Sequence, residues 1–312
     1  GHAAGALLTT ALAAIAVAGL AQRGGQPALS AMQSIERQLV AASPFTSDPE
    51  LEIHARFSPD GRRVVFIKRD DRQSRLVIQD VATRARKVVL STEAMLASPV
   101  FFPDGKRIAY YRRDVDGACG IFSREVDGTL ESRIVDCNGT LRTHFDISAD
   151  SRWLAYASAP EGQMPSAIQL LDLLDNSRRS LTSPQPGEGA DSAPRFSPDG
   201  RQIAFFRGTQ SHSSVWLAGV QPPRAAQRAS KDDGLVYGLT WMGGDGPLVV
   251  SADWAGFRAL HALDLASGIS TLLGARGARY PDISRQGMLS YEQATFRADL
   301  WLSSTTEPGR DA

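Results

Sequence analysis

A chain of 312 residues is long enough for one large domain or two ordinary ones, with a sizeable core. Lys plus Arg and Asp plus Glu each total 34, so there is no global basic field for nucleic acid and no acidic tail. The 28 Gly and 17 Pro fall in short turn clusters, the habit of an all-β chain with many hairpins.

From Ala3 to Ala21 the stretch AAGALLTTALAAIAVAGLA runs 19 residues without a charge, near the length a helix needs to cross a bilayer. Two readings compete: a retained membrane anchor, which is preferred, or the apolar part of a secretory signal cleaved after the GLA before Gln22. Under either, the chain beyond Ala21 lies outside the cytoplasm. The Gly-His start, with no basic region ahead of the apolar run, implies further sequence upstream, to which Gly1 and His2 are foreign. Residues 22–36 read as a linker.

Beyond the linker, one phrase recurs. RFSPDG stands at Arg56 and again at Arg195, and weaker copies are VFFPDG from Val100, DISADS from Asp146, LTWMGG from Leu239 and PDISRQ from Pro281. Aligning Phe57, Phe101, Ile147, Phe196, Trp241 and Ile283 gives intervals of 44, 46, 49, 45 and 42. Each unit carries a second mark, an acidic or small residue closing an apolar strand: Asp80, Glu125, Asp172, Gly219, Asp264 and Ser304. Runs such as VVFI and IAFF suit inner strands covered on both faces. Four short strands per unit and a period of 40 to 50 residues predict an all-β fold, a six-bladed β-propeller of four-stranded blades over residues 37–305, with 306–312 as a tail. The last unit has three clear strands, and RQLVAASPF, from Arg37 to Phe45, is expected to complete it as the outer strand and close the ring.

Candidate chemistry divides into structural and functional residues. Asp60-Gly61, Asp104-Gly105 and Asp199-Gly200 are assigned to turns: Pro presets φ, Asp bonds the backbone ahead of it, and Gly accepts positive φ. Cys119 and Cys137 flank the Asp127-Gly128 turn, with Gly128 nine residues from each. A hairpin folded there brings the two sulfurs to opposed positions, Cα atoms roughly 4.5 to 5.5 Å apart, so a disulfide is expected. His54 and His144 stand three residues before an aligned residue, on first strands expected to line the central funnel. Neither they nor His212 and His261 show metal-ligand spacing, and Asp114–Gly117 (DVDG) lacks the rest of a calcium loop. No cofactor is expected. No G-x-S-x-G, P-loop or strand-linked G-x-G-x-x-G occurs. Trp153, Trp216, Trp241, Trp254 and Trp301 sit at repeat strand positions and read as core.

The phrase FSPDGRRVVF and its repeats resemble the TolB-type propeller repeat over about residues 40 to 305. That resemblance implies the fold and leaves the function open, since such repeats occur in scaffolds, sensors and accessory domains of peptidases. The junction PFTSDPELEIHARFSPDG, from Pro44 to Gly61 after the apolar span, is similar to that of CadC-like (ToxR-type) membrane-bound transcription regulators. It implies a non-enzymatic sensory propeller in the periplasm, anchored in the inner membrane through residues 3–21. A protein partner or small ligand would sit at its funnel or rim, and DNA would be reached only through a domain upstream. The alternatives are a soluble periplasmic TolB-like scaffold and, third, a propeller related to prolyl-oligopeptidase-type enzymes.

Overall fold

The computed structural model describes residues 32–293 except 138–139, 160–164, 210 and 244–245. The expected apolar span 3–21, the strand ending at Ser304 and the tail 306–312 lie outside the described residues. Among the described residues, no helix is long and apolar enough to cross a membrane.

The repeats build an all-β propeller of four-stranded antiparallel blades. In the first blade the strands are Leu51–Phe57, Arg63–Arg69, Ser74–Asp80 and Arg86–Thr92, each bonded to the next in sequence. Blades of the same plan occupy residues 95–136, 140–180, 190–228 and 236–274. Here the count departs from expectation. The described residues make five four-stranded blades, not six, and the sixth place in the ring holds a two-stranded sheet, Ala278–Ile283 with Leu289–Gln293. The innermost strands, Leu51–Phe57, Met95–Phe101, Thr140–Ile147, Ala190–Phe196, Val236–Trp241 and Ala278–Ile283, each touch the next and the last touches the first, so the ring is closed.

The outer strand expected over 37–45 is instead a helix over 32–40 followed by irregular chain. The residues explain the correction. Ile35 and Leu39 are one helical turn apart and fall on one face, and Ile35 is buried while Leu39 packs against the cluster of Val249, Leu260 and Ala278. Val40, which a helix turns the other way, is 91% exposed. Between the two apolar contacts Gln38 donates to the Gly287 carbonyl (2.8 Å) and accepts from the Leu289 N–H (2.8 Å), so a side chain, not a strand, meets the two-stranded sheet there. Phe45 then packs on Val64, Phe66 and Val77 of the first blade. The chain ahead of the ring thus spans the seam between its last and first sheets.

The aspartates of the repeat phrase sit in turns. Gly61 N–H donates to the Ser58 carbonyl (2.8 Å) with φ +67°, Ser58 Oγ donates to Asp60 (2.5 Å), and Asp60 accepts the Arg62 N–H (3.1 Å). Gly200 (φ +71°) and Asp199 repeat this geometry with Ser197, and Gly105 (φ +65°) and Asp104 make the same turn without the hydroxyl, Phe102 standing in its place and Asp104 accepting the Lys106 N–H (2.8 Å). The hydroxyl bonds hold the Asp60 and Asp199 carboxyls below the usual range. The core lies between blades rather than within one sheet. One cluster joins Val65, Ile67 and Leu76 to Ile108 and Tyr110, and another joins Tyr111 and Ile121 to Phe145 and Leu154. Trp153, Trp216, Trp241 and Trp254 belong to such clusters, while Trp301 lies outside the described residues. Cys119 and Cys137 form the disulfide, Cα atoms 5.3 Å apart.

Candidate functional site

Every innermost strand breaks register with its neighbour shortly before it ends. In the first blade Ile53 pairs Ile67 but Arg56 pairs Val65, so His54 and Ala55 oppose Phe66 alone. The same slip falls at Ala97/Val100, Ser192/Arg195, Val236/Gly238 and Arg279/Asp282, and in the third blade opposite Tyr156/Ser158. The residue three before the aligned position takes positive φ in five of the six: His54 (59°), Ser98 (48°), Ala193 (49°), Gly238 (157°) and Tyr280 (48°). His144 is the sixth member of that ring. Such conformations are costly for residues other than glycine and are held only where the surroundings over-determine them. At 238 the residue must be glycine for a second reason, because a Cβ there would stand 2.9 Å from the Tyr280 Cα.

Two layers result at the centre. The first is aromatic: His54, His144 and Tyr280 meet with ring centroids 4.8 to 5.0 Å apart, His144 stacked on Tyr280 and His54 edge-on to both. The His54 backbone N–H donates to Glu292, and its ring Nδ1 accepts the Ser98 N–H (3.1 Å), which fixes the neutral ring with its proton on Nε2. Burial, aided by His144 and Arg279, pushes the His54 pKa well down. Burial and then Arg56 push His144 to about 4. Burial raises Glu292 to about 7 although it pairs with Arg279 (2.8 Å). The His144 ring is half-buried by area, yet its Nε2 is inaccessible and has no partner among the described residues.

The second layer is ionic and stands one residue before the aligned position: Arg56, Val100, Asp146, Arg195, Thr240 and Asp282. Arg56 bonds two carboxylates, Asp146 through Nη2 and Asp282 through Nε, both at 2.9 Å. The second oxygen of each acid accepts a backbone N–H from the following sheet of the ring, Phe196 for Asp146 and Phe57 for Asp282, again at 2.9 Å. Burial pushes both carboxyls up, against the pull of Arg56. Arg195 differs, since its nearest acid is Asp282 at 3.7 Å and its buried Nη1 has no hydrogen-bond partner among the described residues.

Both histidines expected in the funnel therefore line the central cavity, together with Arg56, Ser98, Phe145, Arg195 and Tyr280. It is small, with about 20 Å³ of space open to the centre of a water-sized guest. The turn residues Asp60, Asp104 and Asp199, and the disulfide in the second blade, are not among its lining residues. His212 is exposed, and His261 is buried against Trp254 in the fifth blade. Asp114–Gly117 is a turn, Gly117 N–H donating to the Asp114 carbonyl (3.0 Å) while Asp114 pairs with Arg112. The sequence reading missed the ionic layer, although its signal was the first letter of the repeat phrases: R in RFSPDG, D in DIS.

A closed ring of short, mostly four-stranded sheets with Pro-Asp-Gly turns and an axial cavity defines a β-propeller. Residues 40–165 match the family described as TolB beta propeller domain. An uncharacterized protein of Agrobacterium fabrum is 26% identical over 156 residues, 48% of this chain, and the chain spans about half that relative's length (53%). A putative TolB from Agrobacterium tumefaciens has a similar solved structure, with a TM-score of 0.63 at 19% identity over 80% of this chain and 93% of that one. TolB from Acinetobacter baumannii gives a TM-score of 0.62 at 17% identity, covering 72% of this chain and 55% of that one. At these identities the likeness is one of fold.

Proposed function

We propose that the propeller is a non-enzymatic, TolB-like binding scaffold whose partner docks over the central cavity. The observation that carries the reading is that Ser98, His144 and Arg195, from three different blades, line one cavity, and that Ser98 Oγ, His144 Nε2 and Arg195 Nη1 are each buried without a partner among the described residues. Buried polar groups are normally satisfied, so three open ones in one cavity mark a place that something else completes. Catalysis is disfavoured by the same geometry. His54 spends Nδ1 on the Ser98 backbone N–H, and Ser98 Oγ makes no bond to either histidine, so neither ring activates the Ser98 hydroxyl as a nucleophile. Both central aspartates are held by Arg56 and backbone N–H groups, which leaves neither free as a general base.

The disulfide suits an oxidising compartment, and a periplasmic setting is proposed on that ground and on the TolB likeness. The membrane-bound regulator expected from the junction rests on residues 3–21 and the likeness of 44–61 alone, and the scaffold reading is preferred to it. Selecting a displayed peptide library on the whole chain, then mapping the bound peptides by hydrogen exchange, tests the proposal. Protection is expected at the bulges of the inner strands, whereas protection confined to the outer strands would remove the cavity as the docking place.

A further inference from the structure

We infer that the central cavity is a carboxylate site, in which Arg195, Ser98 and His144 are the donors. The inference deepens the docking reading and rests on it. Its ground is the hydrogen-bonding capacity that the cavity's polar atoms have left to offer. No carboxylate is among the lining residues, and the acids nearby are already engaged: Asp146 takes Arg56 and the Phe196 N–H, Asp282 takes Arg56 and the Phe57 N–H, and Glu292 takes Arg279 and the His54 N–H. On the donor side three groups remain, Arg195 Nη1, Ser98 Oγ and His144 Nε2. His144 Nδ1 lies 3.2 Å from Thr143 Oγ1, and a hydroxyl donating there leaves the ring proton on Nε2. A guest that completes three groups able to donate, one of them a guanidinium that can only donate, is an acceptor, and beside that cation it is an anion.

The formal charges of Arg56, Arg195, Asp146 and Asp282 cancel, but the pairing is uneven. Arg56 takes both carboxylates at 2.9 Å and leaves Arg195 with a 3.7 Å neighbour and no hydrogen bond from its Nη1. A buried guanidinium without a bonded counter-ion is expensive, and a carboxylate relieves that cost. Size sets the form of the guest. A cavity with about 20 Å³ open to the centre of a water-sized guest admits a carboxylate tip or an acid as small as acetate, not a larger organic acid. The carboxylate is therefore that of a chain end or of an Asp or Glu side chain, with the remainder of the partner resting on the mouth beside His54 and Tyr280.

Isothermal titration calorimetry on the whole chain tests this with acetyl-trialanine bearing a free C-terminus, the same peptide amidated, and amidated acetyl-Ala-Asp-Ala, with acetate as competitor. The free acid, the aspartyl peptide or both should bind and be displaced by acetate, and which of them binds separates a chain end from a side chain. The trialanine amide should not bind. Ser98→Ala keeps the Cβ at its positive φ and so keeps the fold, and it should weaken binding about tenfold; Arg195→Gln should weaken it at least as much. Equal binding of acid and amide would overturn the carboxylate assignment while leaving docking at the cavity intact. Undiminished binding in both variants, or no saturable binding of any carboxylate probe, would overturn it as well.

Discussion

Arg56 and Arg195 hold the same position in the first and fourth blades, yet Arg56 bonds two buried carboxylates at 2.9 Å and Arg195 approaches its nearest acid only to 3.7 Å. One arginine is a structural clamp across the ring, and the other is left open to a guest. That division gives the first prediction. Arg56→Met strands Asp146 and Asp282 and should cost about 3–5 kcal/mol in urea unfolding, whereas Arg195→Met should cost at least about 2 kcal/mol less. Equal losses would show that the two arginines do the same work.

The pH dependence of stability turns on Glu292. Its carboxyl keeps a proton in the fold up to about pH 7 but loses it near 4.5 when unfolded, so its contribution is complete below pH 4.5 and is lost as pH rises through 7. His144, held at about 4 in the fold against 6.5 unfolded, works the other way: its contribution is complete above pH 6.5 and is lost as pH falls toward 4. The two slopes oppose one another in the wild type. Glu292→Gln removes one of them, so the stability of the variant relative to wild type should fall by about 3 kcal/mol from pH 7.5 to pH 4.5. A pH-independent difference in urea midpoints would contradict the assignment.

The seam helix makes a prediction that a strand would not. Ile35→Ala should destabilise by about 2–4 kcal/mol, because Ile35 is buried, while Val40→Ala should change stability by less than about 0.5 kcal/mol. Comparable losses at both positions, measured by thermal or urea unfolding, would place the segment differently.

Cys119 and Cys137 close a loop of 18 residues in the second blade. Replacing both by Ala should lower stability by about 3 kcal/mol through the greater freedom of the unfolded chain. Because the pair is not among the residues lining the cavity, the doubly substituted chain should still take the carboxylate peptides with unchanged affinity at temperatures where it is folded.

Much of the ring was legible in the sequence because each blade repeats its own local chemistry. Ser58, Asp60 and Gly61 specify a turn from within four residues, and Gly128 sets the hairpin that brings the cysteines together. The segment 37–45 was misread because a short apolar run carries no decisive period, and the helix shows only once Ile35 and Leu39 are seen on one face. His54 and His144 were found by counting back from the repeat. The ionic layer was not, because what gives Arg56 its meaning is Asp146, 90 residues away and two blades round the ring, and Asp282, whose other oxygen bonds a backbone 225 residues earlier. The repeat alignment places those residues one position before Phe57, Ile147 and Ile283, but only closure of the ring brings them into contact.

The central claim is that the axial cavity docks a partner through Ser98, His144 and Arg195. Its most direct test is the affinity of the selected peptides on the wild-type chain and on Arg195→Gln, measured side by side. A loss of about tenfold or more in the variant is predicted, and equal affinities would contradict the claim.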